Sequence, residues 1–153
     1  MKIIALVAAL LLAGTTLALA RPDVNVDADG VGAHGHDLVA YFTEGMPVEG
    51  RRAHQVDHDG ILYRFASAAN AATFAADPAR YLPAYGGFCA YGVAMGKKFD
   101  TAPTAWEIVD GRLYLELDQG IRAVWLRELP RNIAIADRIW PEIAQVPAAQ
   151  LGN

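Results

Sequence analysis

Three side chains in this chain are suited to holding a soft metal ion: Cys89, His34 and His36. Cys89, the only cysteine, sits in Tyr85-Gly-Gly-Phe-Cys-Ala-Tyr-Gly-Val-Ala-Met-Gly96. Glycine at that density permits unusual φ values or the close approach of another backbone. A helix starting near Gly87 places Cys89 in its first turn, where unpaired N–H groups and the positive dipole end favour a thiolate. The same cysteine also reads as a small buried hydrophobe, with Tyr85, Phe88 and Tyr91 raising its pKa. In His34-Gly-His36-Asp37, alternate residues of an extended strand point the same way, with Cα atoms about 6.6 Å apart. Two imidazoles so placed can share one ion, with Asp37 orienting a ring from behind. The flanking Gly32, Gly35 and Asp37 suit a solvated loop equally. Thiolate with imidazole fits copper or zinc, whereas hard cations want carboxylates.

Other candidates are weaker. His54 and His58 are about 13 Å apart on a strand face, too far to share an ion, and read as surface residues. Met95 falls on a different helix face from Cys89 and suits core or rim packing. Tyr41, Tyr63, Tyr85 and Tyr91 are the aromatic side chains that would line a groove for a peptide or small ligand if Cys89 is only packing. No Gly-x-Ser-x-Gly, phosphate-cradling loop or His-Glu-x-x-His occurs. A nucleophilic Cys89 has no evident base or oxyanion partner, so the chain reads more as a non-enzyme.

The 153 residues suit one domain. Ile3–Ala20 is almost wholly apolar after Lys2 and ends Ala18-Leu19-Ala20, the pattern of a secretory signal peptide over 1–20. A globular domain is expected over 21–144 and a frayed tail over 145–153. The formal net charge of −4 gives no nucleic-acid footprint. A lone cysteine forms no internal disulfide. In an oxidising compartment it is buried, bridged between chains, or functional.

The elements that position these residues can be read from turns and caps. Asp59-Gly60 and Asp110-Gly111 each sit between alternating runs and predict two β-hairpins, Ala53–Ala66 and Thr104–Leu117. Ser67 caps a helix to about Ala76, and Asp77-Pro78 starts a short one ended by Pro83. A helix follows from about Gly87 to Met95. Asp118 caps another, carrying Ile121, Val124, Trp125 and Leu129. Pro130 interrupts it, and a last helix over Arg131–Trp140 is stopped by Pro141. The class is α+β: two hairpins forming a small antiparallel sheet packed against several short helices.

Gly35-His-Asp-Leu-Val-Ala-Tyr-Phe-Thr-Glu-Gly45, Tyr63-Arg-Phe-Ala-Ser67, Phe74-Ala-Ala-Asp-Pro78 and Tyr85-Gly-Gly-Phe-Cys-Ala-Tyr-Gly-Val-Ala94 resemble the YHS domain family, in its exported single-domain bacterial branch. The likeness extends through Trp106–Leu115 to Trp140-Pro141. It implies a small metal-binding module of the kind attached to heavy-metal transporters. The metal-binding members carry three cysteines, and the matching positions here are Ala40, Ala66 and Asn70. The expectation is therefore a periplasmic or secreted accessory domain in metal homeostasis, binding copper or zinc through Cys89, His34 and His36. The alternative is a metal-free module for a peptide or small ligand. Its partners would be a metal ion or an exported protein, with no nucleic acid and no membrane after leader removal.

Overall fold

The computed structural model describes residues 21–151; the expected leader over 1–20 lies outside them. Both hairpins form where the Asp-Gly pairs place them. β1 (Arg51–His58) pairs with β2 (Ile61–Phe65), and β3 (Trp106–Val109) with β4 (Arg112–Leu115), all antiparallel. Asp59 and Gly60, like Asp110 and Gly111, have positive φ, the geometry of a tight turn whose twist matches its strands. The α+β class holds. The hairpins form two separate two-stranded sheets, not one.

Helices occupy the remainder. Asp37 caps α1 (Leu38–Thr43), and Ser67 caps α2 (Ala68–Ala76) by accepting from Asn70 N. Pro78 opens α3 (Pro78–Tyr81). α4 spans only Ala90–Ala94, because Tyr85, Gly86 and Gly87 all have positive φ and cannot begin a right-handed helix. Cys89 is thus the cap of α4, not a first-turn residue. Asp118 caps α5 (Gln119–Arg127). α6 (Leu129–Ile143) departs from expectation twice. Pro130 lies in its first turn, where a missing N–H is harmless, and Pro141 is carried inside the helix rather than ending it.

Two hydrophobic clusters fill the interior. One gathers Leu38, Tyr41, Tyr63, Phe65 and Phe74 with Leu113 and Leu115. The other gathers Tyr85, Phe88, Val93, Trp125 and Ala136 with Tyr114. Successive residues of a strand face opposite ways, so β4 sends Leu113 and Leu115 into the first and Tyr114 into the second. Ring pairs tighten both: Phe65–Phe74 at 4.9 Å and Tyr114–Trp125 at 5.7 Å between centroids.

The two ends of the described residues are tied together by Lys98. Its side chain is fully buried; the Nζ atom lies over the rings of Phe88 and Trp140 and donates to Asp23, to Ala144 O at 3.1 Å and to Val146 O at 2.6 Å. Burial lowers the pKa of this ammonium, and the Asp23 carboxylate opposes that shift. Asp23 also accepts from Ala148 N, and Lys97 donates to Leu151 O. The segment expected to fray is in this way laced to the body through residue 151.

Candidate functional site

Cys89 is 1 % exposed and points inward. Its Sγ accepts from Gly92 N at 3.4 Å and donates to Glu116 Oε2 at 3.1 Å. Burial, then the neighbouring Glu116 charge, pushes the thiol pKa up to about 12. Burial likewise raises the Glu116 carboxyl to about 7, although hydrogen bonds from Cys89 and Tyr91 N pull the other way. An activated thiolate at a helix start is therefore corrected to a protonated thiol facing a buried acid.

The histidines do not join it. The segment Ala33–Gly35 is a tight turn with φ of +49° at His34, not an extended strand, so His34 and His36 are not presented side by side. His34 Nε2 instead meets Asp100 Oδ1 at 2.6 Å, and His36 Nδ1 faces the His34 carbonyl at 3.2 Å. Asp100 also accepts from Asn25 and Thr101 N; burial raises its carboxyl pKa, but these bonds and the one from His34 outweigh that and hold it below the usual range. Among the described residues no three His, Cys, Asp or Glu side chains gather as a group able to hold a metal ion. The expected Cys89–His34–His36 site is not assembled.

Of the four tyrosines, Tyr63 and Tyr85 line a cleft of about 790 Å³ together with Val26, Ile61, Leu82 and Trp140. Arg21, His58 and Asp59 stand in its wall, and Arg21 donates to Asp59 O at 2.6 Å. Burial, then the Asp59 charge, pushes the Tyr63 hydroxyl up to about 12, so it remains a donor. Tyr85 donates to Asp137 and is held between Tyr114 and Trp140. Tyr91 lines a separate hollow of about 240 Å³ with Arg127 and Asn132. Tyr41 lines neither cleft: it is 1 % exposed, donates to Pro103 O and packs edge-on against Trp106.

A fully buried carboxylate that ties three elements together was not singled out for such a role by sequence. Asp37 is fully buried and accepts four hydrogen bonds. Oδ1 takes Val39 N at 2.9 Å and Ala40 N at 3.1 Å; Oδ2 takes Ala66 N at 2.8 Å and Asn70 Nδ2 at 2.7 Å. One carboxylate therefore binds the start of α1, the end of β2 and the first turn of α2. Residues 39–85 match the family model of the YHS domain. No curated protein and no solved structure matches the chain.

The matched segment runs from the second residue of α1 through the first hairpin, α2 and α3, and stops short of Cys89. Ala40, Ala66 and Asn70, where the resemblance places the cysteines of metal-binding members, all bond to Asp37. The three positions converge in space, but here they supply two backbone N–H groups and an amide instead of three sulfurs. The variant Ala40→Cys/Ala66→Cys/Asn70→Cys is expected to gain one tightly held Zn(II) or Cu(I) per chain, measured by equilibrium dialysis. A triple variant that folds and binds no more metal than the parent would show that these positions do not form a common site.

Proposed function

We propose that this chain is an exported YHS-type binding module that takes a small, largely apolar ligand in the cleft beside Tyr63, Tyr85 and Trp140. The observation that carries this reading is the cleft itself. Its volume of about 790 Å³ lies in the range of small-molecule sites, and its wall joins aromatic and aliphatic side chains with Arg21, Asp23, His58, Asp59 and Gln145 as polar groups. YHS domains are generally associated with metal handling, copper in particular. Against that role at the family's positions stands the replacement of sulfur donors by Ala40, Ala66 and Asn70, with Asp37 already saturated by hydrogen bonds. The apolar run before Arg21 supports export.

The test is titration of residues 21–153 with the apolar dye anilinonaphthalene sulfonate, following dye and tryptophan emission. One saturable site is expected, weakened at least tenfold by Ile61→Asp, which sets a charge in the cleft wall. Non-saturable binding, or binding unchanged in that variant, would remove the cleft as the site. Export is checked separately: the full chain secreted from a bacterial host should yield a mature N-terminus at Arg21.

A further inference from the structure

The cleft beside Tyr63 has a polar end whose hydrogen-bond donors the fold does not use. The Tyr63 ring is wedged: a side chain at Gly32 would collide with it, and the Phe74 ring lies 5.3 Å away between centroids. The residue is 4 % exposed, yet its hydroxyl has no hydrogen-bond partner among the described residues. The polar side-chain atoms there that are both partnerless and fully enclosed are Glu116 Oε1 and Trp125 Nε1. The Tyr63 hydroxyl is therefore not enclosed, and it opens into the cleft that its ring lines. The Trp140 indole N–H in the same wall is likewise without a partner and not enclosed. Arg21 bonds to Asp59 O through Nη1, which leaves its Nε–Nη2 edge unused. The phenol stays protonated and the other two groups only donate, so what this end lacks is an acceptor.

The carboxylates of the wall do not answer these donors. Asp23 accepts from Lys98 and from Ala148 N. Asp59 is 72 % exposed, with its carboxylate 3.7 Å from His58 Nε2. A cationic ligand is disfavoured, although the wall is aromatic. Lys98 already lies over the Trp140 ring at 5.3 Å and Arg112 over the Tyr85 ring at 5.7 Å, and Arg21 adds like charge. We infer that the cleft's ligand is an apolar molecule ending in a carboxylate, whose oxygens accept from the Tyr63 hydroxyl and the Arg21 guanidinium. This ligand presupposes that the cleft is the binding site, as proposed above. The free edge of the guanidinium matches a carboxylate through two parallel bonds, and such charge-assisted bonds are the strong ones. The tail of the ligand covers Ile61, Leu82 and Trp140, which removes apolar surface from water. The polar end thus fixes which way round the molecule enters.

Three probes with the same tail separate the head groups: octanoate, 1-octanol and octylamine. Each is titrated at pH 7.5 against the dye-loaded chain, with dye and tryptophan emission as readouts. Octanoate is expected to bind at least tenfold more tightly than 1-octanol, and octylamine most weakly. Tyr63→Phe and Arg21→Gln should each weaken octanoate about tenfold, as for a hydrogen bond to a charged group, and leave 1-octanol within about twofold. Tyr63→Phe should also keep the parent's melting temperature, because the hydroxyl it removes has no partner within the fold. A lowered melting temperature would mean that the hydroxyl serves the fold, and would overturn its role toward the ligand. Octanoate no tighter than 1-octanol, or an advantage left intact in both variants, would overturn the carboxylate ligand while the cleft stood as the site. Failure of the dye and of all three probes to saturate a site would bring down the cleft itself.

Discussion

Replacing Asp37 by alanine is expected to destabilise the chain by about 4 kcal/mol, the largest effect of any single polar substitution proposed for this protein. The change strands four donors: the N–H groups of Val39, Ala40 and Ala66, and the Asn70 amide. Losing a helix cap alone costs about 1 kcal/mol, and each buried donor left unpaired roughly 1–3 kcal/mol. The Asn70 side chain can turn elsewhere and recover part of this. Asp37→Asn keeps one acceptor but turns an amine toward Ala66 N and Asn70, so about 2 kcal/mol is expected. Chemical denaturation with unchanged m-value checks both. A loss under 1 kcal/mol for alanine would mean that water satisfies these groups and that the carboxylate is not what joins α1, β2 and α2.

The second large effect depends on pH. Glu116 titrates at about 7 in the folded chain against 4.5 as its ordinary value. A raised carboxyl pKa means that the unfolded chain gives up its proton first. The stabilisation is whole below about pH 4.5 and is lost as pH rises through 7. The shift corresponds to about 3 kcal/mol. Denaturation midpoints measured from pH 4.5 to 8 should fall accordingly, and Glu116→Gln should remove most of that slope while raising stability at pH 8 relative to the parent. Identical slopes in the two proteins would show that Glu116 is not the group responsible. The thiol adds nothing to this window, since its own pKa lies far above it.

What could be read from sequence was local. The Asp-Gly turns set both hairpins, Ser67 and Asp118 set helix starts, and Ile61, Tyr63 and Phe65 faced the core as alternation requires. These features depend on a few adjacent residues. The α1 helix was missed because six residues give too little periodicity to stand out, and its cap is fixed by partners about thirty positions away. Alternation put Leu117 on the face of Leu113 and Leu115, and Glu116 on the other with Tyr114. The strand ends at Leu115, so the pattern lapses: Glu116 is buried and Leu117 is 40 % exposed. The His34 pair failed for a related reason. Gly32 and Gly35 did signal a turn, and the left-handed backbone at Ala33 and His34 turned the rings apart.

Because β4 is a wall common to both hydrophobic clusters, neither interior can be exposed without stripping contacts from the other. Unfolding should thus be all-or-none, and the amides of Leu113, Tyr114 and Leu115 should exchange with solvent only when the whole chain comes apart.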